Sequence, residues 1–176
     1  VLSPNGSDEE AKLFEKSIDH KINDIAVVIG TFFYKDLNSS YNIFLTLKAK
    51  NSKLRLVIIG DKAMILNKIK NDQCVDILDE LPHCQVLTLL SSARFYINTS
   101  KVENSWNAAS EGVLLARESF ISGIKPHLEL VDIIAHDKYI FENGIVHVEK
   151  KNLTSKGLLT WSNIILDMIK TMDDEI

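Results

Sequence analysis

A chain of 176 residues, 45% hydrophobic and 25% charged, has globular proportions and the length of a single domain. Disordered, collagen-like and disulfide-scaffold classes are excluded by that composition. With 20 Lys and Arg against 24 Asp and Glu, a net charge of −4 and no basic run longer than Lys150-Lys151, nucleic acid is not the expected partner, although a localised phosphate site remains open.

Short β-branched runs alternate with stretches of helical period. The first predicted strand, residues 25–29, ends at Gly30 and leads to a helix over 39–50. A second strand at 54–59 ends at Gly60-Asp61, followed by a helix over 62–71. A third strand at 75–78 stops before Leu81-Pro82 and a helix over 83–91. The fourth, 94–98, runs into Thr99-Ser100, with a helix over 107–118 beyond. A shorter fifth strand is expected at 120–122 and a sixth around 131–135. A helix over 154–170 closes the chain, and Leu158, Leu159, Trp161, Ile164, Ile165, Met168 and Ile169 form an apolar stripe read as core packing.

This alternation predicts an α/β fold, a Rossmann-like doubly wound and mainly parallel sheet flanked by helices, in one domain spanning 1–176. Continuous apolar strands must be covered on both faces. Ligands of such sheets sit outside the carboxyl ends of the strands, where helix N-termini present free N–H groups to anions. The segments to search are therefore 30–37, 60–61, 78–83 and 99–107.

Cys74 and Cys84 lack CxxC or four-ligand spacing and read as reduced thiols, so no metal is expected. The longest apolar runs are far shorter than the ~20 residues of a spanning helix. Residues 1–7 lack the basic and apolar regions of a signal peptide. Walker A, G-x-G-x-x-G and G-x-S-x-G sequences are missing. His20, His83, His127, His136 and His147 show no paired metal spacing and read as surface or core residues.

After the fourth strand, Glu103 and Glu111 stand eight residues apart. On one helix they would be about 80° apart in azimuth and ~12 Å apart along the axis, too far to share a ligand atom. With Glu103 on the loop and Glu111 two turns into the next helix, they can hold opposite ends of an elongated ligand. Ser105 and Asn107 are N-cap types for that helix. A solvated Glu103 with a surface Glu111 is the plainer alternative.

The pair resembles the E-x7-E glutamates of retaining glycosyltransferases with the GT-B fold, typified by lipopolysaccharide and capsule sugar transferases. Other segments resemble that family in the same order. Ser3-Pro4-Asn5-Gly6-Ser7-Asp8 is similar to its hinge, Ile29-Gly30 and Ile58-Ile59-Gly60-Asp61 to its strand ends, and Ser122-Gly123-Ile124-Lys125-Pro126-His127-Leu128-Glu129-Leu130 to its Ser-Asp-Ile-Pro-x-His-x-Glu segment. Phe141-Glu142-Asn143-Gly144 also has a counterpart there.

The resemblance implies the donor-binding half of a two-domain enzyme whose N-terminal acceptor domain lies outside this chain. It implies a UDP- or GDP-sugar donor, a glycan or lipid-linked acceptor, no metal or other cofactor, a cytoplasmic location, and association of the full-length protein with an inner membrane face through the other half. Glu103 would take the catalytic position at the donor sugar and Glu111 would hold the ribose. Asn104, Ser105, Trp106 and Asn107 would approach the sugar and diphosphate, with Gly30, Thr31 and Lys35 on the neighbouring loop.

Departures from the pattern are specific. Glu103-Asn104-Ser105-Trp106 stands where the family has Glu-Gly-Phe-Gly, so both glycines are replaced. The family's diphosphate-neutralising arginine and lysine positions hold Thr31 and Asp36, leaving Lys35 as the nearby cation. A degenerate, non-catalytic nucleotide-sugar-binding or regulatory module is the alternative function. A two-carboxylate hydrolase with Glu103 and Glu111 ~5 to 9.5 Å apart is a further rival.

Overall fold

The computed structural model describes residues 22–103, 107–135 and 138–152. In chain order the labelled elements are β1 (Asn23–Ile29), α1 (Leu37–Lys50), β2 (Arg55–Ile59), α2 (Asn67–Lys70), β3 (Val75–Leu78) and α3 (His83–Ser92). They continue with β4 (Ala93–Asn98), α4 (Asn107–Leu115), β5 (Glu118–Ser122), α5 (Lys125–Ala135), β6 (Ile140–Glu142) and β7 (Ile145–Glu149). The strands form one sheet in the order β3-β2-β1-β4-β5-β7-β6. Pairs among β1 to β5 are parallel, whereas β7 runs antiparallel to both β5 and β6. The architecture is Rossmann-like, a mostly parallel mixed sheet flanked by helices.

The central strands are apolar at successive positions because each face has its own helices. On one face Val27, Val57, Ile59, Tyr96, Ile121, Val146 and Val148 pack with Leu87 and Leu90 of α3, Val113 of α4, and Leu130 and Ile134 of α5. On the other, Ala26, Val28, Leu56, Ile58, Phe95 and Ile97 meet Leu37, Tyr41 and Phe44 of α1 and Ile69 of α2. The buried positions of α1, Leu37, Ser40, Tyr41 and Phe44, follow the spacing of one helical face. Burying a side chain such as Phe44 contributes about 1.5–3 kcal/mol.

Three expectations are corrected. Residues 131–135, expected as a sixth strand, form the second half of α5. The run Val131-Asp132-Ile133-Ile134 has strand propensity, but His127, Leu130, Val131, Ile134 and Ala135 are buried at helical spacing, and Pro126 suits the first turn. The helix expected over 62–71 divides into a 3-10 turn, Lys62–Met64, and the short α2. The helix expected over 107–118 stops at Leu115, so Glu118 opens β5.

The hairpin β6–β7 is an addition. It turns at Asn143-Gly144, both with positive φ (52° and 76°), the signature of a tight hairpin turn. The expected C-terminal helix and the hinge-like segment 3–8 lie outside the described residues. Among the described residues no helix is long and apolar enough to cross a membrane.

Candidate functional site

The order β3-β2-β1-β4-β5 reverses its direction of growth between β1 and β4. The carboxyl ends of those strands are the common ligand position of doubly wound folds. The loop after β1 supplies Lys35 and the loop after β4 supplies Glu103, whose Nζ and Oε1 meet at 2.5 Å. Both side chains are largely shielded, at 12% and 9% exposure.

Polar neighbours surround the pair. Asn98 Nδ2, at the end of β4, donates to Glu103 Oε1 at 3.4 Å and to the Tyr96 hydroxyl at 3.2 Å. Ser100 donates to Asn98 Oδ1 from its N–H at 3.0 Å and its hydroxyl at 2.6 Å. Burial pushes the Glu103 carboxyl upward, but the hydrogen bond and charge of Lys35, with the bond from Asn98, outweigh it and hold the group below its ordinary value. Burial raises the Tyr96 phenol far above its usual range, so it stays protonated.

The loops are fixed from both sides. Asp36, in the left-handed region at φ 45°, accepts from Ser39 N–H as the N-cap of α1 and lies 3.3 Å from Lys101 Nζ. Burial opposes ionisation of Asp36, yet the bonds from Ser39 and Lys101 leave its carboxyl below the ordinary value. Thr99 Oγ1 donates to the Asp36 carbonyl at 2.8 Å and accepts from Ser40 Oγ at 2.7 Å. Lys101 N–H donates to the Tyr34 carbonyl at 2.8 Å. The β1 and β4 loops are therefore tied to each other by side-chain and backbone hydrogen bonds.

Of the residues singled out in the sequence, Gly30 ends β1 at φ 88° and donates its N–H to the Ile59 carbonyl at 2.8 Å. Thr31 is buried, and a Cβ on Gly60 would stand 2.9 Å from its side chain, so it packs between the ends of β1 and β2. Glu111 is buried on α4, where Oε1 lies 3.0 Å from His83 Nε2 at the start of α3. The plainer readings of a solvated Glu103 and a surface Glu111 are thereby corrected. Asn107 is the first residue of α4, and its carbonyl accepts from Ser110 Oγ. Asn104, Ser105 and Trp106 lie outside the described residues.

Lys35 and Glu103 are brought into contact, whereas Glu111 is held by a different partner. Reading the sequence assigns no site role to Asn98, Ser100 or Ser122, although Ser100 lies in the searched segment 99–107 and Ser122 and His127 in the family-like segment, and His83 and His127 read as surface or core residues. The polar run Asn98-Thr99-Ser100 at the end of an apolar strand is the signal that pointed to the first two. Histidine 127 is fully buried, and burial, only partly offset by Ser122, lowers its pKa. Cys74 is half-buried and Cys84 exposed, both as free thiols, and the described residues contain no cluster of metal-ligating side chains.

A buried carboxylate accepts hydroxyl donors, and an ammonium beside it supplies the positive charge. A scan against models of known protein families and a search of curated proteins give no match to this chain.

Proposed function

We propose that this chain is the donor-binding domain of a retaining glycosyltransferase of the E-x7-E, GT-B type, acting on a UDP- or GDP-linked sugar. The observation that carries the reading is the Lys35–Glu103 contact beyond β1 and β4, where the strand order reverses. It joins the first glutamate of the motif to the cation of the loop after β1, although Thr31 and Asp36 replace the family's usual basic residues.

In this reading Glu103 accepts hydroxyls of the donor sugar. Lys35 faces the diphosphate and stabilises charge on the leaving group. Glu111 exchanges His83 for the ribose hydroxyls, and the start of α4 offers backbone N–H groups to phosphate oxygens. The acceptor, a glycan or a lipid-linked glycan, is bound mainly by a separate N-terminal domain. Full-length protein would work at the cytoplasmic face of a membrane, without a metal or other cofactor.

A second reading has its own observation. Lys35 is already committed to Glu103, so a leaving diphosphate competes for that cation, which favours a module that binds nucleotide sugar without transferring it. Calorimetric titration of the chain with UDP and GDP tests the common premise. Saturable binding of one nucleotide, lost in Glu111→Ala, supports a donor site. Absence of binding to either nucleotide overturns it. Transfer by full-length protein, lost in Glu103→Gln, separates the enzyme from the binding module.

A further inference from the structure

The hydrogen bonds around Glu103 have a direction. An ionised carboxylate only accepts, so its neighbours must donate toward it. Lys35 Nζ and Asn98 Nδ2 do so. The Asn98 amide is held in that orientation from behind, because both Ser100 donors are aimed at Asn98 Oδ1. The Ser100 carbonyl accepts from Ser122 Oγ at 2.5 Å. Beyond Ser122 stands His127, whose Nδ1 is 2.9 Å from the Ser122 carbonyl and 3.1 Å from Ser122 Oγ.

Proton positions follow from this chain. Ser122 gives its single hydroxyl proton to Ser100, and a backbone carbonyl has none to give. The proton between His127 and Ser122 therefore belongs to His127 Nδ1. A neutral imidazole with that tautomer has a bare lone pair on Nε2. Among the described residues Nε2 has no hydrogen-bond partner, and the residue is 0% exposed. Leaving a buried polar atom unsatisfied is destabilising, a loss that an apolar residue at the same place would avoid.

We infer that His127 is a positioning residue for Glu103. Its Nδ1–H starts a one-way relay through Ser122, Ser100 and Asn98 that sets the carboxylate beside Lys35. The unsatisfied Nε2 is the cost of presenting a ring N–H to Ser122 from the first turn of α5. Parallel pairing of β4 with β5 places the relay, since Asn98 is aligned with Ile121, next to Ser122. The charged groups that act on the ring are Glu103 and Lys35, and burial keeps it neutral. The relay rests on the proposed function only in naming Glu103 as the sugar-facing group.

Imidazole and carboxyl NMR of the full 176-residue chain tests the inference without any ligand. In the native protein at neutral pH, His127 should show a protonated Nδ1 and an unprotonated Nε2. His127→Leu should shift the Glu103 carboxyl midpoint upward. His127→Asn, whose side-chain N–H stands where Nδ1–H does, should restore the native midpoint. A protonated Nε2 in the native protein overturns the relay, as does a folded His127→Leu variant with an unchanged Glu103 midpoint. If His127→Leu fails to fold, Ser122→Ala breaks the next link and is read in the same way, while the native tautomer decides the proton assignment. Failure of nucleotide binding leaves all of these readouts in place, so it counts against the functional reading alone.

Discussion

Gly112 on α4 lies so close to Tyr96 on β4 that a Cβ at 112 would stand 2.2 Å from Cδ1 of the ring. That close approach seats α4, and with it the neighbouring Glu111, against the sheet. Gly112→Ala must displace either the helix or a fully buried ring. Overpacking of this kind costs about 1–3 kcal/mol and occasionally more. Urea denaturation should show the loss, and Gly112→Ala/Tyr96→Leu should recover part of it. Native stability in the single variant contradicts the packing.

Removing either member of the Lys35–Glu103 pair should have unequal effects. Lys35→Met leaves a shielded carboxylate without its cation, a loss of about 3–5 kcal/mol for a buried pair. Glu103→Gln retains an acceptor for both Lys35 and Asn98, so the loss should be smaller, about 1.5–3 kcal/mol for a charged hydrogen bond. Urea midpoints at neutral pH give the order, and a larger loss in Glu103→Gln argues against it.

Acid sensitivity of Glu103 has a defined sign. Its folded pKa lies below the ordinary 4.5, so its contribution is complete above that value and is lost as pH falls through the folded pKa. The difference in stability between native protein and Glu103→Gln should therefore be constant near neutrality and shrink only below pH 4.5. A difference that is already shrinking near pH 6 would place the carboxyl elsewhere.

His127 acts in a higher window. Its folded pKa lies below the ordinary 6.5, so the unfolded chain takes up the proton first and stability falls as pH drops below 6.5. A folded His127→Leu variant lacks that decline. Thermal melts between pH 7.5 and 5 measure the two slopes, and identical slopes refute the assignment.

Arg55 and Asp76 form two hydrogen bonds, at 2.8 and 2.7 Å, across neighbouring strands, yet each side chain is nearly half exposed. Solvent screening should make this ion pair a small contributor despite its geometry. Arg55→Ala is expected to lower the urea midpoint slightly at low salt and not at high salt. A large, salt-independent loss shows that the side chain acts through packing.

The first four strands were legible because each is a short, mainly apolar run bounded by turn residues. Predicted bounds of 25–29, 54–59, 75–78 and 94–98 fall within two residues of β1 to β4. The hairpin was not legible in the same way, since β6 is exposed along its whole length and carries no burial pattern. Val131 to Ile134 misled for the opposite reason, as β-branched residues on a buried helix face look like a strand when read locally.

At the candidate site, Lys35 and Glu103 each stood out by residue type and loop position. Their contact spans 68 residues and depends on β1 pairing with β4, which local sequence does not reveal. The relay from His127 was less accessible still. It requires the β4–β5 register, the start of α5 and the orientation of one amide, three tertiary facts that no motif encodes.

The lengths of the outermost strands limit assembly. The sheet is bounded by β3 and β6, of four and three residues, whereas central β1 and β4 have seven and six. A second molecule pairing along either margin would gain only a few backbone hydrogen bonds, too few to offset ordering another strand. Among the described residues the sheet therefore offers only short margins for pairing with a further strand.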